Sequence, residues 1–287
     1  MKKILVTGST GQLGSELAML SKESTTFEWI FANRVDVSLD NLNLLSNQLD
    51  TIKADIIINA AAYTAVDKAE SEAELADVVN HKAVGVIANW AKHNNAKLLH
   101  VSTDYVFDGT SSAALDENAH TGPINVYGAT KLLGEQLCLN NNSDAIIIRT
   151  SWVYSSFGNN FVKTMMRLMK ERDSLNVVND QIGSPTYAAD LAACIITIVS
   201  NNYPESGIYN YSNEGQISWF DFALAIKEIG NFDCDVSGIP SSAYPTPARR
   251  PAYSLLNKHK ITETFGIIVP DYKKSLEKCI YLINNKL

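Results

Sequence analysis

The chain has 287 residues, 46% hydrophobic and 19% charged, a globular composition that excludes a disordered chain. With 24 basic and 31 acidic residues it carries a net charge of −7 and no basic block, which argues against nucleic acid as a partner. Cys138, Cys194, Cys234 and Cys279 lie too far apart for a CxxC zinc site or a disulfide scaffold, and the longest near-apolar run, Leu191 to Val199, is too short to span a bilayer.

The opening residues Met1 to Gly8 are too short for a signal segment. A soluble protein of a reducing, cytoplasmic compartment with no membrane partner is therefore expected. Ile4-Leu5-Val6 reads as a buried strand, and after Gly8-Ser9-Thr10-Gly11-Gln12-Leu13-Gly14 a helix follows with Leu13, Leu17 and Leu20 on one face. Phe27 to Phe31 is a second strand and Asp55 to Ala62, with three consecutive isoleucines, a third. Ser71 with Glu74 has the spacing of a capping box, opening a long helix with Leu75, Val78, Val79, Val86 and Trp90 on one stripe. A strand over Lys97 to Ser102, a helix from about Val126 to Asn140 and a strand over Asp144 to Trp152 complete the alternation. Apolar strands alternating with helices predict an α/β fold, a doubly wound parallel sheet covered on both faces.

Beyond residue 153 the pattern changes. Helices are expected around Phe161 to Leu168, Tyr187 to Ser200, Ser218 to Ile229 and from Tyr272. Short strands are expected at Leu175 to Val178 and Tyr209 to Tyr211, and Pro240, Pro245, Pro247 and Pro251 punctuate a loop-rich stretch. The expected organisation is a dinucleotide-binding domain over 1–153, with the last sheet elements also drawn from about 175–210. A smaller substrate-binding lobe over 154–287 is interleaved with it.

Gly8, Gly11 and Gly14 stand directly after a strand and open a helix. Glycines there allow a tight turn and close approach to a pyrophosphate, and the helix N-terminus offers free N–H groups. Near the end of the second strand, Arg34 suits a 2′-phosphate, whereas Asp36 suits a ribose or adenine, so NADPH and NADH both stay open. Tyr127-Gly128-Ala129-Thr130-Lys131 places Tyr127 and Lys131 on one helical face. By itself that pair is a weak signal, with twelve tyrosines in the chain. Beside a glycine loop it matches ketone reduction: hydride addition makes an alkoxide that needs a proton. A nearby ammonium lowers the tyrosine pKa towards a useful range, and Thr103 at a strand end can hold the substrate oxygen.

These residues resemble the extended short-chain dehydrogenase/reductases and, more closely, the dTDP-4-dehydrorhamnose reductases of RmlD type. The resemblance runs nearly the whole chain. It is carried by Thr7-Gly8 with Gly11 to Gly14, Asn59 to Glu70, Ser102 to Gly109, Asn125 to Gly128 and Arg149 to Tyr154. It implies NAD(P)H-dependent reduction of dTDP-4-dehydro-6-deoxy-L-mannose at C4, giving dTDP-L-rhamnose. It further implies Tyr127 as proton donor assisted by Lys131 and Thr103. A cofactor site lined by Gly11, Gln12, Leu13, Asp36, Val37, Ala60, Ala62, Tyr63 and Thr64 is implied, with Thr103, Asp104 and Trp152 touching the sugar nucleotide and Asn59 holding backbone beside the cofactor. Some members are Mg²⁺-bridged dimers. Here the matching acids are Glu16 and Asp190, read rather as ordinary exposed helical acids, so no metal is expected and the chain is a monomer or homodimer.

Two rivals follow. A 4,6-dehydratase or epimerase shares the fold, but a dehydratase needs a carboxylate base where this chain has Tyr105. A non-catalytic NADP-binding regulatory subunit, like that of methionine adenosyltransferase, is also similar in sequence. Arg249-Arg250 suits a diphosphate or a capped turn. The five histidines show no metal spacing and read as surface or packing residues, and Met165, Met166 and Met169 read as core.

Overall fold

The computed structural model describes residues 1–23, 26–201 and 205–285. Strands β1 (Lys2–Thr7), β2 (Phe27–Ala32), β3 (Ile56–Asn59), β4 (Lys97–Thr103), β5 (Ile146–Thr150) and a last strand, Gly207–Tyr211, form one parallel sheet. The order is Gly207–Tyr211, β5, β4, β3, β1, β2. The chain reverses direction across the sheet between β1 and β3, so the crevice beyond their carboxyl ends is where this topology places ligands.

Period-two alternation along the strands separates two apolar layers. On one face Ile4, Val6, Ile56, Ile58 and Ile148 pack against Leu13 and Leu17 of α1 (Gln12–Leu20) and against the helix Ala188–Ser200. On the other, Leu5, Ile57, Leu98 and Ile147 pack against Leu45 and Leu49 of α2 (Leu42–Ile52), the helix Ala83–His93 and Cys138 of the helix Val126–Asn141. A third core belongs to the C-terminal half, where Met165, Met166 and Met169 meet Phe222, Tyr154 and Leu276, so the methionines are packing residues.

Several elements depart from the sequence pattern. Ser71 does not cap a helix: its hydroxyl donates to the Lys68 carbonyl at 3.1 Å and closes the preceding turn. The helix starts at Ala73, passes through a π-helical turn over Val78–Lys82 and resumes at Ala83. The reciprocal capping box forms elsewhere, between Ser218 and Asp221. Helix α2 carries only two fully buried leucines on a polar background, too faint a stripe to predict; Asn41 caps it by accepting from the Leu44 N–H. Leu175 to Val178 is a strand, but it pairs with Asp235–Ile239 away from the main sheet; among the described residues of this half, Gly207–Tyr211 alone joins that sheet, beside β5.

Candidate active site

The glycine loop is shaped by close approach. Gly8 has φ +69°, and a Cβ on it would stand 2.8 Å from the Ala61 nitrogen; one on Gly14 would meet the Gly8 carbonyl oxygen at 2.3 Å. Gly11 is the N-cap of α1 and has no side chain to cap it, so the first-turn amides face the crevice without an internal partner from the cap. This loop fits a dinucleotide pyrophosphate. Gly8, Gly11, Gln12, Leu13, Arg34, Val37, Ala60, Ala62, Tyr63, Thr64, Tyr127 and Lys131 all line one cleft of about 740 Å³. Gly14 packs behind the loop. Asp36 turns away and accepts the Asn33 N–H at 3.0 Å, because Asn33 organises a tight local turn. Asp40, ion-paired to Arg34, stands on the cleft wall instead.

Two further glycines bring the Val126–Asn141 helix close. A Cβ on Gly128 would lie 2.2 Å from the Tyr105 carbonyl oxygen, and one on Gly134 would lie 2.0 Å from that of Asn80. Tyr127 and Lys131 therefore reach the cleft from a helix seated directly on its neighbours. Asn80, placed inward by the π-helical turn, accepts the Tyr63 N–H at 2.8 Å and donates to the Tyr63 carbonyl at 3.0 Å, holding one cleft wall.

Lys131 is buried, and its ammonium position is defined by the Val101 carbonyl at 2.7 Å and the His100 ring at 3.3 Å. Burial lowers its pKa to about 8, with the Glu135 charge pulling the other way. Tyr127 is pushed up to about 12 by burial, opposed by a side-chain hydrogen bond with Thr103 and reinforced by the Asp104 carboxylate. The expected depression of the Tyr127 pKa by Lys131 is thus not what this arrangement produces: Lys131 is tied back to β4, and desolvation dominates at the phenol. The rings of Tyr127 and Tyr105 meet edge to face at 5.5 Å. Tyr105 is itself held far above the ordinary tyrosine range by burial, and so is no base at neutral pH.

At the end of β4, Thr103 donates to Asp104 at 3.2 Å and accepts the Tyr105 N–H. Asp104 also accepts from Ser254 at 2.6 Å, and burial raises its pKa to about 6. Trp152 has φ +46° and lies flat against Trp219, ring centroids 3.7 Å apart. Trp219 lines a second cavity of about 660 Å³ in the C-terminal half, together with Phe161, Gln181, Tyr244 and Arg250. Arg250 makes a two-pronged pair with Asp67, while Arg249 is exposed.

Glu16 and Asp190 are not the exposed helical acids expected. Glu16 is buried and accepts from Ser155 at 2.5 Å; Asp190 accepts from Asn213 and Ser275. Their engagement comes from chain segments distant in sequence, which spacing on one helix does not reveal. Among the described residues no group of acids, histidines and cysteines is placed to hold a metal ion, and no helix is long and apolar enough to cross a membrane. Sequence reasoning passed over Asn80 and Glu135 and read His100 only as a surface or packing residue; all three are buried and bonded at the site. His100 alone carried a usable signal, a polar residue inside an apolar strand.

The family model described as the RmlD substrate binding domain matches residues 1–284. A dTDP-4-dehydrorhamnose reductase of Aggregatibacter actinomycetemcomitans is 42% identical over 288 residues, covering 96% of this chain and 98% of that protein. The crystal structure of a dTDP-4-dehydrorhamnose reductase from Clostridium acetobutylicum superposes with a TM-score of 0.94 at 36% identity, over 98% of this chain and 99% of that one. A dTDP-4-dehydrorhamnose reductase from Bacillus anthracis, solved in complex with NADP, gives 0.92 at 37% identity, with the same coverage.

Proposed function

The chain belongs to the family of the RmlD substrate binding domain, and on that premise we propose that it reduces the C4 ketone of dTDP-4-dehydro-6-deoxy-L-mannose to dTDP-L-rhamnose, with Tyr127 as proton donor. It is an NAD(P)-dependent oxidoreductase acting on a nucleotide sugar. The observation that carries the reading is that Tyr127 and Lys131 line the same cleft as the glycine loop.

When bound, the reduced nicotinamide supplies the hydride to C4. Gly8, Gly11 and the first turn of α1 bind the pyrophosphate, and Val37, Ala60, Ala62, Tyr63 and Thr64 flank the rest of the dinucleotide. Arg34, at the cleft mouth, favours a 2′-phosphate and hence NADPH. Tyr127 passes its phenolic proton to the C4 oxygen, a transfer that its high pKa permits because an alkoxide is more basic still. Lys131 donates to the nicotinamide ribose, and Thr103 orients the ketone oxygen. Residues 1–153 carry the cofactor, and the lobe over 154–287 receives the substrate, the cavity beside Trp219 and Arg250 taking its nucleotide portion. Asp104 and Trp152 stand between the two.

The alternatives have less support. The high pKa of Tyr105 speaks against a dehydratase base. A complete Tyr127–Lys131 pair speaks against a purely regulatory subunit. The deciding experiment follows oxidation of NADPH and of NADH with enzymatically prepared dTDP-4-dehydro-6-deoxy-L-mannose, with product identification. Formation of dTDP-L-rhamnose is expected, faster with NADPH. No turnover despite measurable NADPH binding would overturn the assignment in favour of the regulatory reading.

A further inference from the structure

At the carboxyl ends of the strands, one face of the sheet changes from apolar to polar along a single row. Leu5, Ile57 and Leu98 belong to the apolar layer; two residues further on, Thr7, Asn59 and His100 stand directly opposite one another on β1, β3 and β4. All three are fully buried. The Thr7 hydroxyl donates to Asn59 Oδ1 at 2.7 Å, Asn59 Nδ2 reaches His100 Nδ1 at 3.0 Å, and His100 Nε2 faces Lys131 Nζ at 3.3 Å. Thr7 Oγ1 also accepts the Ala61 N–H, at the wall of the cofactor cleft.

Among the described residues no carboxylate pairs with Lys131. Glu135, one turn further along the same helix, is taken up by Arg149 and by the Ser102 hydroxyl. The buried Lys131 nitrogen is left with two neutral partners, the Val101 carbonyl and His100. Hydrogen-bond accounting then restricts the imidazole. With Asn59 presenting its NH₂ group, Nδ1 is an acceptor and the ring proton sits on Nε2, facing Lys131. That arrangement suits an amine, which has a lone pair to receive the proton. An ammonium has none and needs Nε2 as acceptor; the ring proton then moves to Nδ1 and Asn59 turns its oxygen toward the ring. Both arrangements leave the His100–Lys131 contact paired; a side chain without both functions would not.

We infer that His100 is a positioning residue for the reduction, acting through Lys131: its two tautomers, set against Asn59 and Thr7, keep Lys131 hydrogen-bonded over the cofactor cleft in either charge state. The inference rests on the reductase reading for its role in turnover, but cofactor binding tests it without any sugar substrate. The charged and titratable groups around Lys131 are Tyr127, Glu135 and Cys138 on its own helix, His100 on β4, Asp104 just after β4 and Arg149 on β5 beyond Glu135.

The experiment measures the NADPH dissociation constant against pH for the wild type, His100→Gln and His100→Leu. The ring nitrogens of His100 are followed in parallel by ¹⁵N NMR in the wild type, its signal being the one missing from His100→Gln. His100→Leu removes the acceptor, so it should weaken NADPH binding about tenfold at neutral pH and move the alkaline loss of affinity down by about one pH unit. His100→Gln offers a permanent carbonyl acceptor; it should restore affinity to within about threefold and move that loss to higher pH, the direction opposite to leucine. In the wild type the ring proton should pass from Nδ1 to Nε2 across the pH range in which affinity falls. Superimposable pH profiles in all three proteins, or an unchanging His100 tautomer, would overturn the inference. If His100→Leu does not fold, the glutamine profile and the tautomer shift decide it. If the wild type binds NADPH with this pH behaviour but turns over no sugar nucleotide, the functional reading fails and with it the role of His100 in turnover, while its positioning of Lys131 for cofactor binding stands.

Discussion

The Arg250 guanidinium grips the Asp67 carboxylate with two nitrogens, at 3.1 and 2.9 Å, across 183 residues of chain. Asp67 lies on the short helix that follows the cofactor-side loop after β3, and Arg250 on the proline-rich segment that walls the second cavity. The pair ties the short helix beside the first cleft to the wall of the second. It also holds the Asp67 carboxyl below its usual range, chiefly through the Arg250 hydrogen bonds.

Because Arg250 and Asp67 are both partly exposed, screening keeps their stabilising effect small. A double-mutant cycle with Arg250→Lys and Asp67→Asn should give a coupling of about 1 kcal/mol or less by urea denaturation. The same Arg250→Lys variant should raise KM for the sugar nucleotide while leaving NADPH affinity unchanged. A larger coupling with unaltered KM would make the pair purely structural.

Tyr127→Phe removes the phenol proposed as proton donor and little else. Turnover should fall by roughly 10²–10⁴, with NADPH binding nearly intact. Turnover close to the wild type would remove Tyr127 from the mechanism.

Asp104 makes stability depend on pH. Its pKa is raised by burial from 3.8 to about 6, so the folded state favours the protonated acid. That contribution is fully present below the unfolded value and is lost as pH rises through about 6. Asp104→Asn keeps a neutral polar group beside Ser254 and should raise Tm above pH 7, by the equivalent of about 1–3 kcal/mol, with the gain vanishing near pH 4. A variant less stable at every pH would show that the carboxylate's hydrogen bonds outweigh its desolvation.

Arg149 and Glu135 form an ion pair at 2.7 Å with both side chains almost wholly buried. Arg149→Met should cost about 3–5 kcal/mol in urea denaturation, because it strands the Glu135 charge beside Ser102. Adding Glu135→Leu should recover most of that loss. Failure of the double variant to recover would place the cost in lost packing, including the stacking of Arg149 on Phe107.

The amino-acid sequence by itself determined what depends on short separations along the chain. Strand–helix alternation follows from local periodicity. The Gly8–Gly14 loop follows from backbone freedom at three positions, and the Tyr127–Lys131 pairing from the pitch of one helix. Most of the cleft lining named from sequence, Gly8, Gly11, Gln12, Leu13, Ala60, Ala62, Tyr63 and Thr64 among it, lies at the ends of strands that local pattern could place. The tertiary structure alone decided what depends on which distant segments meet. It set Asp40 rather than Asp36 on the cleft wall and stacked Trp152 on Trp219. It buried Glu16 against Ser155, and it lined up Thr7, Asn59 and His100 across three strands beneath Lys131. These contacts join residues up to 139 positions apart. Their partners are chosen by strand order and register, and burial then makes each unpaired polar group too costly to leave unmatched.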